Sequence, residues 1–167
     1  MATSGKIRKC PDSSLDYLLI EIVRRYSSQS PESRSAAILD GIGFRVGRQL
    51  VERYTRDRAR LADNLEVIRF LCKDLWAIVF GKQVDSLKTN HMGVYVLQDH
   101  HFRWFQHISV EAAGPGEGPT IDKIVEDYIH IPAGIIRGAL TQLGIACTVQ
   151  AGIKELPACS FTIKITP

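Results

Sequence analysis

The stretch Asp63–Asp99, DNLEVIRFLCKDLWAIVFGKQVDSLKTNHMGVYVLQD, decides the fold, because it begins as a helix and ends as a strand. Asp63 can accept from the free N–H groups of a first helical turn, and Glu66 stands three residues on, the spacing of a capping box. Leu65, Ile68, Leu71, Cys72, Leu75, Trp76 and Val79 recur at helical spacing, while Lys73 and Asp74 fall mostly on the wet side. Gly81 is placed to end that helix. After a polar link, Met92–Leu97 is β-branched and aromatic, the composition of a strand. A long apolar helix that runs into a strand calls for helices layered on a sheet.

Towards the N-terminus, residues 1–12 are polar and aperiodic, which predicts a flexible tail, with one domain over residues 13–167. Ser13 or Ser14 can cap a helix through about Tyr26, whose stripe is Leu15, Leu18, Leu19, Ile22 and Val23. After a serine-rich link, Ser30 is the expected cap and Pro31 the first position of a second helix reaching about Arg56. Its buried face is marked by Ile38, Leu39, Ile42, Val46, Leu50, Val51 and Tyr54. It also carries Gly41, Gly43 and Gly47, each costing roughly 1 kcal/mol against alanine in a helix interior. Gly43 and Gly47 are four apart, so they share a face on which another helix can come close. That helix can belong to this chain's own core or to a neighbouring molecule. The run GIGFRVG is not a phosphate loop, since its spacing is wrong and no strand leads into it.

Towards the C-terminus, Gln98–His101 reads as a tight turn and Phe102–Ile108 as a return strand. Five glycines and prolines between Ala112 and Pro119 make a loop. Thr120–Tyr128 predicts a short helix, Pro132 an interruption, and a new helix runs from Pro132 to Leu143, stopped by Gly144. Cys147–Ala151 and Cys159–Thr166 alternate as strands, linked by Gly152–Pro157. The order is helix-helix-helix-strand-strand-helix-strand-strand. The predicted class is α+β, a four-stranded antiparallel sheet packed on helices.

The 167 residues carry a net charge of +3 and a pI near 8.7. The cations are spread out, and the densest run, Arg53–Arg60, is interleaved with Glu52, Tyr54 and Asp57, so it reads as a solvated helix end. Nucleic-acid binding would want a concentrated basic patch and surface aromatics on the strands. No run of about 18 apolar residues predicts a membrane span, and MATSGKIRKC has no apolar core of a secretory signal. Cys10, Cys72, Cys147 and Cys159 lack CxxC spacing and read as reduced thiols.

Catalytic constellations are wanting. His101 and His107 could share a strand face but would lie about 20 Å apart, too far for one metal. Cys72 sits on an apolar stripe, where a thiol is inert. Glu126 and Asp127 are sequence neighbours and point apart on a helix. Neither a cofactor nor a metal is called for, and a binding or assembly module is the expectation.

Certain strings carry more than periodicity. ILDGIGFRVG at Ile38–Gly47 resembles the second-helix signature of the small subunits of the TRAPP complex. Phe70–Trp76, Leu87–His91, Tyr95–Asp99, Ile135–Leu140, Leu143–Ile145 and Leu156–Phe161 resemble the subunit-six branch of that family, so the likeness runs from about residue 14 to the C-terminus. The resemblance implies an α+β small subunit of a tethering assembly that is also a guanine nucleotide exchange factor for a Rab GTPase. That assembly acts between the endoplasmic reticulum and Golgi and within the Golgi. It implies a cytoplasmic, non-catalytic protein, peripheral on those membranes through the complex and linked to the GTPase only indirectly. It further implies pairing with the acylated core small subunit through the first two helices, alongside other TRAPP subunits. Carried onto this chain, the partner interface is Leu15, Leu18, Leu19 and Ile22 with Ile38, Ile42, Gly43, Val46, Gly47 and Leu50. The acylated core subunit has its cysteine near the start of the third helix. Here Arg58–Asp63 has none, so no acyl chain is expected. The rival reading is a small-molecule or lipid-binding sensor domain of related topology, which needs a sealed pocket lined by Trp76, Phe80 and Ile135.

Overall fold

A computed structural model describes residues 11–29, 32–106 and 121–166. The helices are α1 (Asp12–Gln29), α2 (Glu32–Thr55), α3 (Asn64–Phe70), α4 (Trp76–Phe80) and α5 (Ile121–Gln142). The strands are β1 (Ser86–Thr89), β2 (Val94–Asp99), β3 (Cys147–Glu155) and β4 (Ala158–Ile165). All pair antiparallel in the spatial order β1-β2-β4-β3. The predicted class and element order hold, with α3 and α4 forming one helix through a π-helical turn at Leu71–Leu75.

The Asp63 cap forms, but Glu66 reaches one residue beyond the N-cap, to Ala62 rather than to Asp63. The Glu66 N–H donates to Asp63 Oδ1 at 2.7 Å, and Glu66 Oε2 accepts from the Ala62 N–H at 2.6 Å. Ile68, Cys72, Trp76 and Phe80 are buried in one column. A step of four residues drifts about 40° per step on a regular α-helix, so such a column would wind off the core. The π turn takes up the surplus, and its Cys72 carbonyl accepts from the Val84 N–H at 3.1 Å, which ties the outgoing chain to the helix. Gly81, at φ +78, closes α4 with a bond from its N–H to the Ala77 carbonyl.

Three expectations need correction. The predicted strand Phe102–Ile108 is not one where it is described. Arg103–Phe105 is a 3₁₀ turn, while β1 comes from the supposed polar link and pairs Leu87 with Leu97. The turn drives Phe102, Trp104 and Phe105 all into the core, whereas strand alternation would have turned Phe105 outward. Secondly, α5 runs unbroken through Pro132. The lost N–H bond is offset by burial on both sides of it, at Ile129, Ile131, Ala133, Ile135 and Ile136. Thirdly, β3 extends to Glu155, leaving only Leu156–Pro157 as its turn into β4. Of the expected tail over residues 1–12, residues 1–10, with Cys10, lie outside the described residues, and Asp12 already begins α1. Ser30 and Pro31, His107 and Ile108, the 112–119 loop and Thr120 also lie outside the described residues.

Leu97, Phe161 and Ile163 form the sheet's inner face. Rings fill the space above it. Trp76 stands 4.5 Å from Phe80 and 5.6 Å from Phe161, and Phe80 stands 4.9 Å from Phe102. On the far side α5 packs against α2 with almost no side chain between them. A Cβ on Gly43 would come within 2.9 Å of the Ile131 carbonyl carbon and closer to its oxygen, and one on Gly47 would meet Ile135 in the same way. Gly134 and Gly138 of α5 stand likewise against the backbones of Asp40 and Phe44. Four glycines thus bring two backbones into contact.

Candidate functional site

The ten residues predicted for a partner face divide three ways. Leu15 (43% exposed), Leu18 (55%) and Val46 (39%) present apolar side chains to solvent. Ile22, Ile38, Ile42 and Leu50 are half-buried. Leu19, Gly43 and Gly47 are buried inside this chain, which corrects their placement on a free surface. Leu19 enters the core with Val23, and the two glycines are consumed by α5. What remains runs at helical spacing along one flank of each helix: Leu15, Leu18 and Ile22 on α1, and Ile38, Ile42 and Val46 on α2. Solvent contact at Leu15, Leu18 and Val46 is unfavourable by the usual measure of apolar area, so covering them supplies a driving force for association.

Sequence reasoning missed the other half of the glycine crossing. Gly134 and Gly138 repeat the four-residue spacing of Gly43 and Gly47, and that repeat was the available signal. The crossing is pinned at one side by Arg137. Its guanidinium pairs with Asp40 and lies 4.4 Å from the centre of the Phe44 ring.

Polar groups elsewhere are structural. The carboxylate of Asp99 is buried at the end of β2. It accepts from Trp76 Nε1 at 3.0 Å, Lys82 Nζ at 2.7 Å and the His101 N–H at 3.0 Å. Lys82 also donates to Asp85 at 2.7 Å. Asp99 is thus a satisfied buried carboxylate that locks the β2 turn to α4. Asp127, buried on α5, accepts from the Ser35 hydroxyl of α2 at 3.5 Å.

The candidate reactive groups are not activated. Burial pushes the Cys72 thiol up to about 12, and it pushes those of Cys147 and Cys159 upward as well, so none is a ready thiolate. Among the described residues, no three His, Cys, Asp or Glu side chains converge as metal ligands. Trp76, Phe80 and Ile135, proposed to line a pocket, are instead packed core residues. The two rings pack on each other and on their aromatic neighbours, and Ile135 lies against Gly47. No described helix is long and apolar enough to cross a membrane.

Known proteins share sequence and fold with this chain. The family model for a transport protein particle (TRAPP) component matches residues 15–166. Human trafficking protein particle complex subunit 6B is 43% identical over 127 residues, spanning 76% of this chain and 76% of that protein. Human trafficking protein particle complex subunit 6A is 38% identical over 156 residues, spanning 90% of this chain and 94% of that protein. The fold is also similar to the crystal structure of a trafficking protein particle complex subunit 3 from Naegleria fowleri, covalently bound to palmitic acid. That likeness has a TM-score of 0.66 and covers 93% of this chain and 98% of that one at 14% identity.

Proposed function

This chain belongs to the TRAPP family of transport protein particle components, and from that premise we propose that it is a structural, non-catalytic subunit of the TRAPP tethering complex. In that role it stands within an assembly that exchanges guanine nucleotide on a Rab GTPase, in traffic from the endoplasmic reticulum to and through the Golgi. Residues 13–167 act as its single family domain. It pairs with the acylated core small subunit through the outer flank of α1 and α2, and it reaches membranes through the complex rather than by a chain of its own. The raised thiol pKa values and the packed aromatic core support a non-catalytic role. The lack of any cysteine over Arg58–Asp63 supports the absence of acylation there.

The observation that carries the pairing is the exposure of Leu15, Leu18 and Val46 on flanks already rich in half-buried aliphatics. The test is co-expression with the core small subunit, followed by size-exclusion chromatography with mass measurement. A one-to-one complex is expected. Leu18→Asp and Ile42→Asp should abolish it, because each places a charge in a buried seam. Leu18→Asp should do so without lowering the melting temperature of the free chain, since Leu18 already faces water. A chain that stays monomeric beside its partner, or a complex indifferent to both changes, overturns the pairing.

A further inference from the structure

We propose that the cleft between the end of α2, the start of α3 and the α5–β3 turn binds an acidic peptide segment, one carboxylate entering beside Arg58 and Arg60 and a neighbouring apolar side chain seating on Val67 and Ile145. The cleft has a volume of about 510 Å³, the size of a site for a few side chains. Its floor is apolar, with Val67 and Ile145 both buried. Its walls are small at Ala59 and Ala62, which leaves the floor reachable.

The cations on its rim are arranged for recognition. Arg58 is held in place, with Nη1 2.8 Å from Asp74 Oδ2 and its guanidinium carbon 5.1 Å from the centre of the Phe70 ring. A guanidinium has five N–H donors, so one bond to Asp74 leaves most of them for an incoming carboxylate. Arg60 makes no hydrogen bond or ion pair among the described residues. The Asp63 carboxylate, which would repel an acid, is bound through Oδ1 to the Glu66 N–H at the N-terminus of α3, where the helix dipole offsets part of its charge. A preorganised arginine, a free arginine and an apolar floor suit an acid next to an aliphatic or aromatic residue. A membrane surface fits less well. Its headgroups would meet a concave opening rather than a flat cationic face. That the segment belongs to a neighbouring subunit rests on the proposed function. Peptide binding itself does not depend on the α1–α2 pairing and fails or stands separately.

The test uses the full chain and a fluorescein-labelled peptide of glycine and serine with the core Glu-Leu-Glu-Phe-Glu, followed by anisotropy in 0.15 M salt. Saturable binding is expected. Arg60→Ala should weaken it about tenfold, the loss of one hydrogen bond to a charged group. Ala59→Trp, which fills the cleft without changing charge, should abolish it. Arg45→Ala with Arg48→Ala, on α2 outside the cleft, should leave it unchanged. No saturable binding, or an equal loss from the Arg45 and Arg48 pair, overturns the proposal. Flotation with phosphatidylserine vesicles that is lost in Arg60→Ala, without peptide binding, also overturns it and gives the cleft to lipid headgroups.

Discussion

Gly41 and Gly47 lie less than two turns apart on α2, yet their surroundings are opposite. A Cβ on Gly41 meets nothing within 4 Å, while one on Gly47 lies 2.9 Å from the Ile135 carbonyl carbon. Gly41→Ala should therefore stabilise the protein by up to about 1 kcal/mol, through helix propensity alone. Gly47→Ala should destabilise it by about 2–3 kcal/mol or more, because backbone must move. Urea midpoints of the two variants check both signs. The buried thiol and phenol make a second prediction. Burial raises Cys72 from 9.0 to about 12. It also raises Tyr128 from 10.0 to about 12, with the charge of Asp16 adding to the effect. Both groups favour the neutral form in the fold. Their stabilising contribution is whole below the unfolded values and is lost as pH rises through the folded ones. Stability should thus fall from about pH 9 upward, with Cys72 alone contributing a loss of about 1 kcal/mol by pH 10. Urea midpoints from pH 7 to 10.5 measure the slope, and Cys72→Ala should make it shallower.

Among the elements, the α3–α4 helix is the one whose geometry depends on a single extra residue. Deleting Lys73 from the π turn should rotate Trp76 and Phe80 off the column they share with Ile68, and remove the Cys72–Val84 bond. The deletion should lower the melting temperature far more than Lys73→Ala, which leaves the turn intact; differential scanning calorimetry separates the two. The same helix shows what was legible in sequence. Its cap was written in Asp63 and Glu66, and the alternation of β4 was plain, because local hydrogen bonds and period-two burial leave local traces. β1 was not legible, since four residues at a sheet edge bury too little to leave a pattern. Phe102, Trp104 and Phe105 misled because a dense aromatic run reads as a strand until tertiary packing turns every ring inward. Pro132 misled because its local cost was outweighed by burial that only the whole fold supplies.

At the scale of the whole molecule, α2 faces two ways. Its inner side is committed to α5 through Gly43 and Gly47, and the outer flank with Ile38, Ile42 and Val46 is the part proposed above to meet a partner. The sequence stripe could not divide these roles, because the decisive contact, Gly43 and Gly47 against Ile131 and Ile135, joins positions about ninety residues apart. The division predicts that variants on the outer flank lose pairing but keep their fold, and that variants at the crossing lose both; thermal melts run beside the pairing assay test it. The crossing also has a mechanical consequence. Side chains between helices act as compliant spacers, and here backbone bears on backbone, with glycines from both helices interlocked so that neither can slide by a fraction of a turn. A load applied to the outside of α2 therefore passes through a stiff joint into α5 and from there into the sheet. The molecule should behave less as a cushion between its neighbours than as a strut that keeps their spacing.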